Sequence, residues 1–247
     1  MQAGLNDEDF LAILATGGGK SLCFQLPALM KAEGSSYLTI VISPLQSLMK
    51  DQTDNLMKKK HLTNVGFLNG SLNPLERKEV AKKVEFGGID LLYLSPEMLR
   101  SFSIQNILSK RLIDRIVIDE AHCFSKRGHD FRIDYMFIAD FIKELGKKNK
   151  SLDTVSISCF TATAKQEVAD EIKTYFKEHF NKELKEFRST AKRGNLSYKA
   201  YELGDKNSSP EKIEHLKFQK LVEILEHTVQ GQPCIIFTRF RGKSEKV

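Results

Sequence analysis

Short apolar runs recur along the chain at intervals that leave room for a helix between each pair. They are FLAIL (residues 10–14), YLTIVIS (37–43), NVGFL (64–68), DLLYL (90–94), RIVI (115–118) and TVSISCF (154–160). A strand with one wet face alternates apolar and polar residues, so strands that are nearly continuous in apolar residues must be covered on both faces. Segments of helical periodicity supply that cover, near residues 21–31, 44–59, 74–86, 134–145 and 165–179. Strands separated by helices pair in parallel through crossover connections. The expected fold class is therefore α/β, a doubly wound, mostly parallel sheet. In such sheets ligands bind outside the carboxyl ends of the strands, so the residues that follow each strand take the chemical reading first.

The first run continues into ATGGGKSLCFQLPAL (residues 15–29). Gly17, Gly18 and Gly19 allow successive backbone amides to point into one concavity, with Thr16 at its edge. Lys20 adds a point charge, and Ser21 a hydroxyl for a metal at the start of a helix. The pattern is a phosphate cradle of Walker A type, although Leu14 stands where that spacing wants a small residue. A Gly-rich turn capping an ordinary helix would account for the glycines but not for Lys20 and Ser21 directly after them.

The run RIVI ends in two adjacent carboxylates and continues as DEAHCFSKRGHDFRIDY (residues 119–135). If this strand lies beside the cradle, Asp119 can hold Mg²⁺ through a water and Glu120 can orient the water that attacks a γ-phosphate. Two acids capping the following helix are the local alternative, but capping does not predict a cradle elsewhere.

Composition limits the partners. With 247 residues, 41% hydrophobic and 28% charged, the chain can bury a core. No apolar run approaches the roughly 20 residues of a membrane span, and MQAGLNDEDF lacks the basic start and apolar centre of a signal peptide. An intracellular protein with no membrane partner is expected, cytoplasmic or nucleoid-associated in a bacterium and nuclear in a eukaryote. Cys23, Cys123, Cys159 and Cys234 show no CxxC spacing, which argues for free thiols rather than zinc or a disulfide framework. A net charge of +6 makes an anionic partner plausible, though lysine runs such as Lys58–Lys60 also serve simply to solvate helix ends.

TGGGKS, SPLQSLMKDQ (43–52), LSPE (94–97), DEAHCFSKRGHDFRIDY and FTATA (160–164) follow one another in the order and spacing of superfamily 2 helicases. In detail the chain resembles the RecQ family of ATP-dependent DNA helicases. Several of these motifs are individually weak, and their order is what makes the signal specific; together they cover residues 9–164. The resemblance implies a RecA-like lobe over residues 1–196, with KRGNLSY (192–198) as the inter-lobe link and residues 197–247 as linker and start of a second lobe. It implies ATP and Mg²⁺ as cofactors and DNA, single-stranded or partly duplex, as partner, with roles in DNA repair and recombination.

Residue by residue, the resemblance makes Lys20 and Ser21 the phosphate and Mg²⁺ ligands and Asp119 and Glu120 the Walker B pair. His122 becomes the residue that senses the nucleotide, and Thr161, Ala162 and Thr163 the motif that couples hydrolysis to lobe movement. Ser43, Pro44, Ser95 and Pro96 match segments that hold the single-strand backbone. Residues 125–135 match an aromatic-rich loop linking DNA binding to ATP turnover, in which His129, Phe131 and Arg132 can stack on a base or pair with phosphate. Each has a local alternative: Ser43-Pro44 can begin a helix, His122 can be a packed surface histidine, Thr161 and Thr163 can be strand residues before a cap, and Phe131 a core plug.

The chain departs from the family at several points. Arg127 stands where the loop usually has Trp, and the chain contains no Trp; Gly194 replaces a proline. The adenine-reading glutamine motif would precede Met1. A polar connector (204–212), a helix near residues 212–229 and a strand QPCIIFTR (232–239) resemble the opening of the second lobe. That lobe supplies arginine fingers worth about 10³ to 10⁵ in rate, so weak hydrolysis is expected from this chain alone. Alternatives to a helicase motor are a nucleotide- and nucleic-acid-binding module without unwinding activity, and a duplex translocase.

Overall fold

The structure is a computed structural model that describes residues 1–125, 132–149, 155–189, 197–204 and 208–237. The chain forms two compact units, Met1–Lys192 and Arg193–Val247. In the first, α1 (Gln2–Leu5), β1 (Phe10–Ile13), α2 (Lys20–Ala32), β2 (Tyr37–Ile42), α3 (Gln46–Lys60) and β3 (Val65–Leu68) lead to α4 (Pro74–Glu85) and β4 (Leu91–Leu94). Then come α5 (Phe102–Leu108), β5 (Leu112–Ile118), α6 (Ile138–Lys148), β6 (Ser156–Thr161), α7 (Gln166–Phe180) and β7 (Lys185–Arg188).

Among the described residues the strands form one seven-stranded sheet in the order β3-β4-β2-β5-β6-β1-β7. Every pairing is parallel, with Ile42 beside both Leu94 and Ile118, and Ile13 beside Thr161. The doubly wound parallel sheet expected from the strand–helix alternation is therefore present. One premise needs correction: β5 does not lie beside β1, because β6 is inserted between them. The cradle and the acid pair are consequently two strands apart along the carboxyl edge.

Both faces of the sheet are covered by apolar side chains. Along β5, Ile116 and Ile118 join one core cluster with Phe141, Ile142 and Phe176, while Val117 joins the other with Phe24, Val41 and Phe160. The same split recurs in β1, where Leu11 and Ile13 face one way and Phe10 and Ala12 the other. Each buried Leu, Ile or Phe side chain contributes about 1.5–3 kcal/mol, which is why these runs contain so few polar residues.

Helix starts are set locally. Asn73 accepts from the Leu75 and Glu76 amides at 2.9 Å while the Glu76 carboxylate accepts from the Asn73 amide at 2.9 Å, a complete capping box with Pro74 at the first position of α4. β7 has no apolar run to announce it: KEFR pairs with β1 through the backbone, with Phe10 beside Lys185 and Ile13 beside Arg188.

In the second unit α8 (Pro210–Ile224) begins at Ser209, whose Oγ accepts from the Lys212 amide at 3.3 Å, and it ends in a wider turn over Leu225–Val229. The strand expected over 232–239 is not formed in residues 232–237, and residues 238 and 239 lie outside the described residues. Ile235 and Phe237 are exposed there. Among the described residues that unit contains no strand to pair with this segment, and an unpaired strand cannot satisfy its backbone.

Candidate nucleotide site

The loop between β1 and α2 is built by glycine geometry. Gly17 and Gly19 both have φ of 79°, in the left-handed region that suits glycine, and Gly19 caps α2. At Gly18 a Cβ would sit 2.8 Å from the Ala15 carbonyl oxygen, so only glycine fits between the turns. No side chain caps α2, and Thr16 to Gly19 are exposed, which leaves the first amides of a thirteen-residue helix open to an anion. Lys20 folds back so that its ammonium donates to the Leu14 carbonyl at 3.4 Å.

Asp119 and Glu120 follow β5 on the same edge of the sheet. Asp119 is only 8% exposed. Burial, and then the neighbouring Glu120 charge, raise its carboxyl from 3.8 to about 6, against the Glu120 amide, Lys20 and Ser43, which favour the ionised form. A buried acid held this high is a group in want of a cation. Glu120 is held below its usual range by the His122 hydrogen bond and, further down, by Lys20. Glu120 also has φ of 48°, a left-handed conformation that costs a non-glycine residue about 1 kcal/mol or more and marks a site where strain is tolerated.

His122 joins this pair to β6. Its Nδ1 lies 3.3 Å from Glu120 Oε2 and 3.0 Å from Thr161 Oγ1, and the Thr163 amide donates to the same Thr161 oxygen at 3.3 Å. The Cys123 sulfur, and after it Glu120, raise the imidazolium to about 10. Two motifs 39 positions apart therefore share one hydrogen-bonded path.

Several residues of the site were not singled out in the sequence. The Tyr135 hydroxyl donates to the Asp119 carbonyl at 2.8 Å from a fully buried position, packed edge-on against Phe124. The Gln52 amide donates to Ser21 Oγ at 2.8 Å. The Gln25 amide completes that network, donating to Gln52 Oε1 at 2.5 Å and to the Tyr93 hydroxyl at 2.7 Å. No local pattern announces these contacts, because the partners are 16 to 68 positions apart.

The family model described as "DEAD/DEAH box helicase" matches residues 1–172. The chain belongs to the DEAD/DEAH box helicase family. The "ATP-dependent DNA helicase RecQ" of Haemophilus influenzae is 35% identical over 250 residues, covering 100% of this chain and 35% of that protein. The "Putative ATP-dependent DNA helicase Q1" of Caenorhabditis briggsae is 38% identical over 258 residues, covering 100% of this chain and 37% of that protein. This helicase-family chain thus spans about a third of the length of these curated relatives. In fold it is similar to the Mycobacterium smegmatis helicase Lhr, solved bound to ssDNA and AMP-PNP, with a TM-score of 0.69 at 18% identity over 99% of this chain and 32% of that one.

Within this DEAD/DEAH box chain the residues matched to the single-strand contacts lie at the carboxyl ends of β2 and β4, but not on the surface. Ser43 is 1% exposed with its hydroxyl 3.4 Å from Asp119 Oδ2, so it faces the acid pair. Ser95 is 0% exposed, and Pro44 and Pro96 are buried too. The exposed residues there are Leu45, Gln46, Ser47, Glu97 and Arg100, with the Gln46 amide donating to Glu97 at 2.9 Å. Arg132 donates to the Pro44 carbonyl at 3.2 Å, and its amide bonds the Cys123 carbonyl at 3.1 Å. Arg127, His129 and Phe131 lie outside the described residues. Among those described, no helix is long and apolar enough to cross a membrane.

Proposed function

We propose that this chain is the first motor lobe of a RecQ-type ATP-dependent DNA helicase, binding Mg-ATP and single-stranded DNA and linking hydrolysis to strand separation. The observation that carries the reading is the uncapped, glycine-built start of α2, with Lys20 and Ser21, on the same carboxyl edge of the sheet as the buried Asp119 and its neighbour Glu120. The amides of Gly17 to Lys20 would cradle the phosphates, with Lys20 released from Leu14 to pair with them. Ser21 and Asp119 would hold Mg²⁺, which supplies charge neutralisation at the phosphates when bound.

The burial of Asp119, with its carboxyl raised by desolvation and by the Glu120 charge, fits that role. Glu120 would orient the attacking water and accept its proton, and His122 would pass the state of the site to Thr161 and so toward Thr163. On the nucleic-acid side, the uncapped start of α3 and the exposed Gln46, Ser47 and Arg100 would meet the phosphate backbone. Ser43, by contrast, serves the metal side in this reading, through Asp119.

Glu120→Gln keeps the shape of the site and removes its base. Turnover by a full-length protein carrying this lobe should fall about 10²-fold or more while nucleotide affinity is retained; equal loss of both would mean the water is held elsewhere. Lys20→Ala should weaken nucleotide binding about 10- to 100-fold, measured by titration with a fluorescent nucleotide, and unchanged affinity would remove the cradle assignment.

A further inference from the structure

Resting on the nucleotide reading above, we propose that Gln52 is a positioning residue for Ser21: its side-chain amide orients the Ser21 hydroxyl toward the metal of a bound Mg-nucleotide and ties helix α3 to that metal. Gln52 lies in the second turn of α3, on the helix that starts at the exposed Gln46, and its Nε2 donates to Ser21 Oγ at 2.8 Å. The orientation of this amide is fixed from behind. Gln25 Nε2 donates to Gln52 Oε1 at 2.5 Å, and the Tyr93 hydroxyl lies 3.5 Å from the same oxygen. Gln25 spends its other hydrogen on the Tyr93 oxygen at 2.7 Å. Two donors converge on Oε1, so turning the Gln52 amide alone would set donor against donor, and with Gln25 as it stands Nε2 faces Ser21.

Gln25 and Tyr93 are themselves buried, so the brace is anchored in the core and not in a mobile surface chain. The chemical consequence follows from the valence of a hydroxyl, which offers one hydrogen and two lone pairs. Gln52 occupies one lone pair. The other is left for a metal, and the O–H points away from the cation. Without the amide the hydroxyl would sample the staggered rotamers freely, and a metal would have to select one.

Ser43 makes the complementary link, since its hydroxyl reaches Asp119. The segment from Ser43 to Gln52 therefore touches both of the assigned metal ligands, while Gln46, six residues before Gln52 and about 9 Å away along the helix, is exposed at the opposite end.

The test is Mg²⁺-dependent binding of a fluorescent adenosine diphosphate analogue, read with Mg²⁺ and with chelator, on the full 247-residue chain. Gln52→Leu and the length-matched Gln52→Met should lose about three- to tenfold in affinity with Mg²⁺ and nothing with chelator. Ser21→Ala should erase the gain due to Mg²⁺, and adding Gln52→Leu to it should cost nothing more, because the amide acts only through that hydroxyl. Thermal melts confirm that each variant is folded, and Gln52→Met serves if Gln52→Leu is not. Equal losses with and without Mg²⁺, no loss at all, or additive losses in the double variant would each overturn the inference while leaving the nucleotide reading standing. If the unaltered chain gains no affinity from Mg²⁺, the nucleotide reading itself fails and this inference falls with it.

Discussion

Replacing Asp119 by Asn should make the metal-free protein more stable while removing, on the proposed reading, a ligand for Mg²⁺. In the folded state the Asp119 carboxyl is raised from 3.8 to about 6, chiefly by burial and next by the Glu120 charge. The folded protein therefore binds the proton more tightly than the unfolded chain does. A raised value contributes stability that is fully present below about pH 4 and is lost as pH rises through about 6. Roughly two units at about 1.4 kcal/mol each make this loss about 3 kcal/mol at pH 7.5.

Asn is nearly isosteric and neutral at every pH. Its oxygen can still accept from the Glu120 amide, which bonds Asp119 Oδ1 at 3.0 Å, and its NH₂ can donate to the Ser43 hydroxyl now 3.4 Å from Oδ2. In chelator at about pH 7.5 the variant should melt about 5–10 °C above the parent, and the gap should narrow by about half at pH 5. Circular dichroism melts at the two pH values measure both quantities. Excess Mg-ATP should then close the gap from the other side, by stabilising the parent and not the variant. A variant that melts at or below the parent at pH 7.5, or a gap that does not change with pH, would refute the claim that this carboxylate is held ionised at a cost.

Two further outcomes separate the site from its scaffold. Tyr135→Phe removes the 2.8 Å hydrogen bond to the Asp119 carbonyl from a buried position and should cost about 1–3 kcal/mol in denaturant unfolding; a neutral result would mean that the Asp119 carbonyl is satisfied without it. Asn73→Ala breaks the capping box of α4 and should cost about 1 kcal/mol with nucleotide affinity unchanged, since α4 begins after β3 and contributes no residue to the cradle or the acid pair.

Much of the site was legible before the fold. The proposed cradle is contiguous in the chain, which is why its glycines, Lys20 and Ser21 can be read as one motif; Gly17 and Gly19 take the left-handed φ of 79°, and no side chain caps the helix that follows. His122 and Thr161 both stand in recognisable motifs, and the structure joins them at 3.0 Å. What the motifs could not reveal was which side of each residue is used. Ser43 and Ser95 sit in segments matched to nucleic acid yet point inward, because a residue just after a buried strand can face either the cleft or the core. Gln25, Gln52 and Tyr93 escaped notice because side-chain hydrogen bonds across the sheet leave no periodicity.

The sequence by itself determined the class of the fold and which residues stand at its carboxyl edge. Strands apolar on both faces cannot stand in water, and helices of matching spacing lie between them, so a covered parallel sheet follows from burial alone. It did not determine the order of the strands. Nothing local places β6 between β1 and β5, or adds the charged strand β7 at the edge, since both depend on backbone pairing and on how the crossovers pack. That order was decided only in three dimensions. It set the acid pair two strands from the cradle, raised Asp119 by burying it, and brought Gln52 to Ser21, because distances between residues far apart in the chain are set by packing and not by sequence separation.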